Sequence, residues 1–103
     1  MSREFFIRFQ FSHELNGFFS ELSSSEFCIS FTESEVRLGV KRRGGIPDYR
    51  LVRESPEVAY IGVYMPSKVV EELIKRALGN ARVLFSEADG GDEVSIHEVL
   101  IHV

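Results

Sequence analysis

The chain has one cysteine, three prolines, two asparagines, one glutamine and two methionines in 103 residues. A single cysteine, Cys28, excludes an internal disulfide, and a domain of this length buries roughly two-thirds of its unfolded surface without one. That usage fits a reducing, cytoplasmic setting. Scarcity of Asn, Gln, Cys and Met together is a habit of thermophile proteins. No apolar run approaches the roughly 20 residues of a membrane helix. The opening MSREFFIRFQFS is broken by Arg3, Glu4 and Arg8, which is not the form of a signal peptide. These absences lead to the expectation of one domain, residues 1–103, away from the membrane.

What the chain does have is an uneven charge. Its net charge is −4, yet residues 37–53 carry Arg37, Lys41, Arg42, Arg43, Arg50 and Arg53 against Asp48 alone, a local +5. The remainder holds six basic and fifteen acidic side chains, a net −9. A basic segment therefore sits on an acidic body, and the stretch KRRGGIPDYRLVR is expected to be a basic arm, 41–57, formed either as a hairpin or as a loop.

Periodicity supplies the architecture. Phe5, Ile7, Phe9 and Phe11 alternate with Phe6, Arg8 and Gln10, a period of two that predicts a half-buried strand. Ser12 is placed to cap a helix whose apolar stripe is Leu15, Phe18, Phe19 and Leu22. Phe27, Ile29 and Phe31 then alternate with Cys28, Ser30 and Thr32, and Val36, Leu38 and Val40 with Arg37, Gly39 and Lys41. The order returns after the arm. Ala59, Ile61, Val63 and Met65 alternate with Tyr60, Gly62 and Tyr64, and Pro66 suits a first helical position. Val69, Val70, Leu73, Ile74, Ala77 and Leu78 form one broad face, and Gly79-Asn80 is a stop. Val83 and Phe85 mark another strand, and DEVSIHEVLIHV a last one with a bulge at His97-Glu98.

An offset of 54 lays the halves on one another, with Ile7 on Ile61, Leu15 on Val69, Phe19 on Leu73 and Phe31 on Phe85. The reading is an α+β fold of two βαββ units, about 4–41 and 58–103, in a largely antiparallel sheet with both helices on one face. Gene duplication and chance likeness of two amphipathic segments both fit that pattern.

Parity then fixes what the uncovered face presents: Phe6, Arg8 and Gln10; Cys28, Ser30 and Thr32; Arg37, Gly39 and Lys41; Tyr60, Gly62 and Tyr64; Arg82, Leu84 and Ser86; Ser95 and His97. This face is expected to be free of acids. Aromatic rings among arginines are the surface on which single-stranded nucleic acid binds, bases stacking on rings and cations following phosphates. Phe6, Tyr60 and Tyr64 are the candidate stacking residues, and Arg8, Arg37, Lys41, Arg42, Arg43, Arg50 and Arg82 the candidate phosphate contacts. Helices on opposite faces would bury Tyr60 and Tyr64 and remove this hypothesis.

Other motifs carry less. Gly44-Gly45 lacks the spacing of a phosphate-binding loop and meets a turn requirement. His13, His97, His102 and Cys28 show no zinc-site spacing, and no metal or other cofactor is expected. Cys28 has no base or oxyanion donor marked for it, and the acids of ADGGDE do not fit an EF-hand. No constellation supports catalysis. The expectation is a non-enzymatic binding protein for single-stranded RNA or DNA, acting as a homodimer. The alternative is a protein-assembly module whose open face and arm form a homodimer or grip an acidic partner.

Overall fold

Seven strands and two helices follow in the order β1 (Arg3–Phe9), α1 (Ser12–Ser23), β2 (Cys28–Phe31), β3 (Glu35–Leu38), β4 (Tyr49–Arg53), β5 (Val58–Val63), α2 (Lys68–Leu78), β6 (Val83–Glu87) and β7 (Glu93–Val94). The computed structural model describes residues 3–39 and 47–88 and the backbone of 93–94. The strands form one sheet in the order β2-β3-β4-β5-β1-β6-β7, and every pairing is antiparallel. The α+β class and the antiparallel sheet expected from periodicity are therefore present.

Alternation becomes burial as expected. Phe5, Ile7 and Phe9 of β1 are at most 2% exposed. They join Leu15, Phe18, Phe19 and Leu22 of α1 and Val70, Leu73, Ile74 and Leu78 of α2 in one core. Each such side chain contributes roughly 1.5–3 kcal/mol by leaving water. α1 packs against α2 and against β1, β2 and β3.

The helix ends depart by a residue or two from the expected caps, for local reasons. The N-cap of α1 is Phe11, not Ser12. Glu14 Oε1 accepts the Phe11 amide at 3.2 Å while the Glu14 amide donates to the Phe11 carbonyl at 3.1 Å, so the glutamate closes the first turn without a hydroxyl. At the other end Ser24 and Ser25 hydroxyls donate to the Ser20 and Leu22 carbonyls at 3.0 and 2.7 Å, satisfying acceptors that the helix leaves open. α2 starts after Ser67 rather than at Pro66. It stops at Gly79, whose φ of 57° is the left-handed conformation for which glycine is the default.

Of the two forms expected for the basic arm, the hairpin is the one present among the described residues: residues 49–53 are β4, antiparallel to β3, and β4 is paired on its other side to β5, which makes it an interior strand. Tyr49 and Leu51 are fully buried, and this apolar alternation draws the segment into the sheet in spite of its charge. Asp48 leads into it, 2% exposed, its amide donating to the Leu38 carbonyl at 2.8 Å and its carbonyl accepting from Tyr64 N at 2.8 Å. Lys41, Arg42, Arg43 and the Gly44-Gly45 turn lie outside the described residues, as do Ser95, His97 and the expected bulge.

The halves share the strand–helix–strand–strand order but not its place in the sheet. β2, which follows α1, lies at one edge beside β3, whereas β6, which follows α2, pairs with β1. The edge position also alters β2. Its register shifts between Cys28 and Ser30, and Phe31, expected inward, is 62% exposed. Phe31 still pairs with buried Val36, but at the rim of the sheet it borders an open cleft beside Phe19 and Ser23 of α1.

Candidate nucleic-acid interface

Register places the candidate side chains in rows across one sheet face. The first row runs Ser30, Arg37, Arg50, Gly62 and Glu4, each opposite the next on β2, β3, β4, β5 and β1. The second runs Glu35, Val52, Tyr60, Phe6 and Ser86, and the third Val58, Arg8 and Leu84. Of the ten candidate residues, Phe6, Arg8, Arg37, Arg50 and Tyr60 share these rows. Tyr64 follows Gly62 at the same parity, Arg82 precedes Leu84 likewise, and the remaining three lie outside the described residues.

The face is not free of acids. Glu4 and Glu35 both belong to it, and each is bound to a candidate residue. The Tyr60 hydroxyl donates to Glu4 Oε1 at 2.6 Å. Glu35 accepts from Arg37 Nε at 2.5 Å and from Arg50 Nη2 at 3.0 Å. These two arginines stand directly opposite one another on β3 and β4, a like-charge pairing that costs stability unless neutralised. The hydrogen bonds from Arg50 and then Arg37 hold the Glu35 carboxyl below the usual carboxylate range. Parity alone would have found both acids, since Glu4 stands two before Phe6 and Glu35 two before Arg37.

Gly62 sets the shape of the aromatic tract. A Cβ there would stand 3.0 Å from the Tyr60 hydroxyl and 3.2 Å from the Tyr64 hydroxyl, so the phenols converge over the bare backbone from either side. Phe6 meets Tyr60 edge-on, centroids 6.3 Å apart and planes at 67°. Tyr60 is half-buried and Tyr64 37% exposed. Burial first, and then the hydrogen bond to Glu4, push the Tyr60 phenol above its ordinary pKa, because ionising it would put two anions in contact.

Arg8 and Arg82 differ from the inner arginines. They line one cleft of 290 Å³ with Phe9, Gln10, Val83 and Leu84 where β1 ends and β6 begins. Both are exposed, and neither meets a carboxylate among the described residues. Arg53 points the other way. Its Nη1 donates to Asn16 Oδ1 at 2.7 Å and its guanidinium lies 5.0 Å over the Phe19 ring, so that charge ties β4 to α1.

Among the described residues no group of three or more His, Cys, Asp or Glu is able to hold a metal, and no helix is long and apolar enough to cross a membrane. Comparison with protein-family models, with curated proteins and with solved structures finds no match.

Proposed function

We propose that the chain binds single-stranded RNA or DNA on the sheet face that carries Phe6, Tyr60 and Tyr64, with both helices on the opposite face. Two features support the placement of the helices: α1 and α2 touch each other, and the strand residues of opposite parity to this face are those buried in the core with them. The observation that carries the function is the adjacency of the aromatic tract to Arg8 and Arg82, two exposed cations with no carboxylate partner among the described residues. Rings take bases at roughly 1–3 kcal/mol each, and cations take the backbone.

The carboxylates narrow this reading. Arg37 and Arg50 share the one carboxylate of Glu35, so together they present a net single positive charge to phosphate. Lys41, Arg42 and Arg43 enter from their sequence alone. The test is fluorescence anisotropy of a labelled hydroxyl-ended single strand over a salt series, with a Tyr64→Ala variant and a Lys41/Arg42/Arg43→Ala triple variant. Binding should weaken with salt by counterion release and weaken further in each variant. Absence of binding at low salt would end the proposal.

Self-assembly is the second reading, favoured by the exposure of Leu84, 55%, beside the aromatic tract. A face that alternates Glu4, Glu35 and arginines is able to meet its own copy in a homodimer. Sedimentation velocity distinguishes the two, since an apolar dimer face holds or strengthens in salt while polyanion binding declines.

A further inference from the structure

The cleft at the end of β1 and the start of β6 is built differently from the rest of the face. Arg8 stands opposite Leu84, and the same register carried one step past the Phe9–Val83 pair sets Gln10 opposite Arg82. Two guanidiniums and an amide therefore border one 290 Å³ cleft floored by Phe9 and Val83. No carboxylate lines it among the described residues. The contrast with Arg37 and Arg50, which share the one carboxylate of Glu35, is one of available charge: the inner pair is half offset, and the cleft pair meets no carboxylate among the described residues.

Two available cations at one point match two negative charges at one point. A phosphodiester inside a strand carries one charge, whereas a terminal phosphate monoester carries about −1.5 to −2 at neutral pH and has three acceptor oxygens. The cleft also lies past Phe6 along β1, where β1 ends and β6 begins, so a strand following β1 from the aromatic tract reaches it. We infer that the Arg8–Arg82 cleft holds the terminal phosphate of a single strand, so that the protein recognises a phosphorylated end rather than the strand alone. This rests on the proposed nucleic-acid reading and goes beyond it by naming the end group.

The experiment uses one labelled sequence in three forms, with a 5′-phosphate, with a 3′-phosphate and with hydroxyls at both ends. One phosphorylated form is expected to bind about tenfold or more tighter than the hydroxyl form, as charge-assisted bonds to arginine imply. The advantage should shrink as pH falls through the second phosphate pKa of about 6. It should disappear in Arg8→Gln and in Arg82→Gln, both exposed positions, which should weaken the phosphorylated form more than the hydroxyl form. Binding of all three wild-type forms with equal affinity overturns this inference and leaves nucleic-acid binding standing. Binding of none overturns both. Competition by a phosphoserine peptide as strong as that of the phosphorylated strand overturns the assignment to a strand end.

Discussion

Arg37 and Arg50 face one another across β3 and β4, and Glu35, one row away, hydrogen-bonds to both. The carboxylate thus offsets a repulsion built into the register while cancelling one of the two positive charges there. Glu35→Gln should act in opposite directions on stability and binding. Stability falls by about 1 kcal/mol or less, because the pairs are partly exposed, and Tm by about 4–8 °C per kcal/mol at this size. Affinity for single strands rises and its salt dependence steepens, by about 0.7 in log slope for each phosphate newly neutralised. Because the folded pKa of Glu35 is depressed, wild type holds its advantage over E35Q above the ordinary value of 4.5. It loses that advantage as pH falls through the lower folded value. Thermal melting of both proteins at neutral and acid pH, beside anisotropy, checks each part.

The Tyr60–Glu4 bond gives a second titration. Tyr60 ionises above the ordinary phenol value of 10, so its contribution is complete below that value and is lost as pH rises through the folded one. In Glu4→Gln the neighbouring anion is gone, and ultraviolet titration should show one phenol ionising at lower pH. The part due to burial remains. An unchanged titration would mean that Glu4 and Tyr60 do not meet in solution.

Gly62→Ala probes the same tract from beneath. Its Cβ would press on the two tyrosine hydroxyls, which are mobile ends of side chains and give way, while alanine gains about 0.5–1 kcal/mol over glycine in a strand interior. Stability should therefore change by less than about 1 kcal/mol, yet Tyr60 should titrate nearer its ordinary value and single-strand binding should weaken. Loss of binding without loss of stability separates a shaped platform from a scaffold glycine.

The stripe of α1 was legible because it reports burial directly: Leu15, Phe18, Phe19 and Leu22 are all in the core. In α2 Val70, Leu73, Ile74 and Leu78 are buried, but Val69 of the same expected face is 53% exposed. Residues 49–53 were legible as one side of a hairpin, since Tyr49 and Leu51 carry the same alternation as the other strands, but their pairing with β5 was not. Glu4 and Glu35 were within reach of parity but stand second and first in their strands, where the boundary is least defined. The exposure of Phe31 was not legible at all. It depends on β2 lying at the edge of the sheet, and strand order is set by pairing across the whole chain.

Arg53 tests whether the basic segment acts as a unit. Its charge is spent on Asn16 and on the Phe19 ring, across the sheet from the aromatic tract. Arg53→Ala should lower stability by about 1 kcal/mol, from a partly exposed cation–π contact and two hydrogen bonds, to Asn16 Oδ1 and the Glu33 carbonyl, and leave single-strand affinity unchanged. An equal loss of affinity in Arg53→Ala and Arg8→Ala would show that binding follows net charge alone and not the face.

Tyr49 offers a prediction about folding that is independent of ligand. Its ring is fully buried in β4, and its hydroxyl accepts from Ser67 N at 2.9 Å and donates to Ser67 O at 3.3 Å. Ser67 is the N-cap of α2 and makes no side-chain capping bond; the phenol of a sheet strand holds its backbone amide, the contact that an N3 side chain makes in a capping box. Burial pushes this phenol above its ordinary pKa, which keeps it a donor over the working pH range. Tyr49→Phe preserves the ring and deletes both bonds, leaving the Ser67 amide without that acceptor at a cost of about 1–3 kcal/mol. Urea denaturation should show a lower midpoint at unchanged slope, and amide exchange should quicken at the first turn of α2 before it does so in α1. Uniform quickening through both helices would mean that the hydroxyl acts on the whole core and not on the cap.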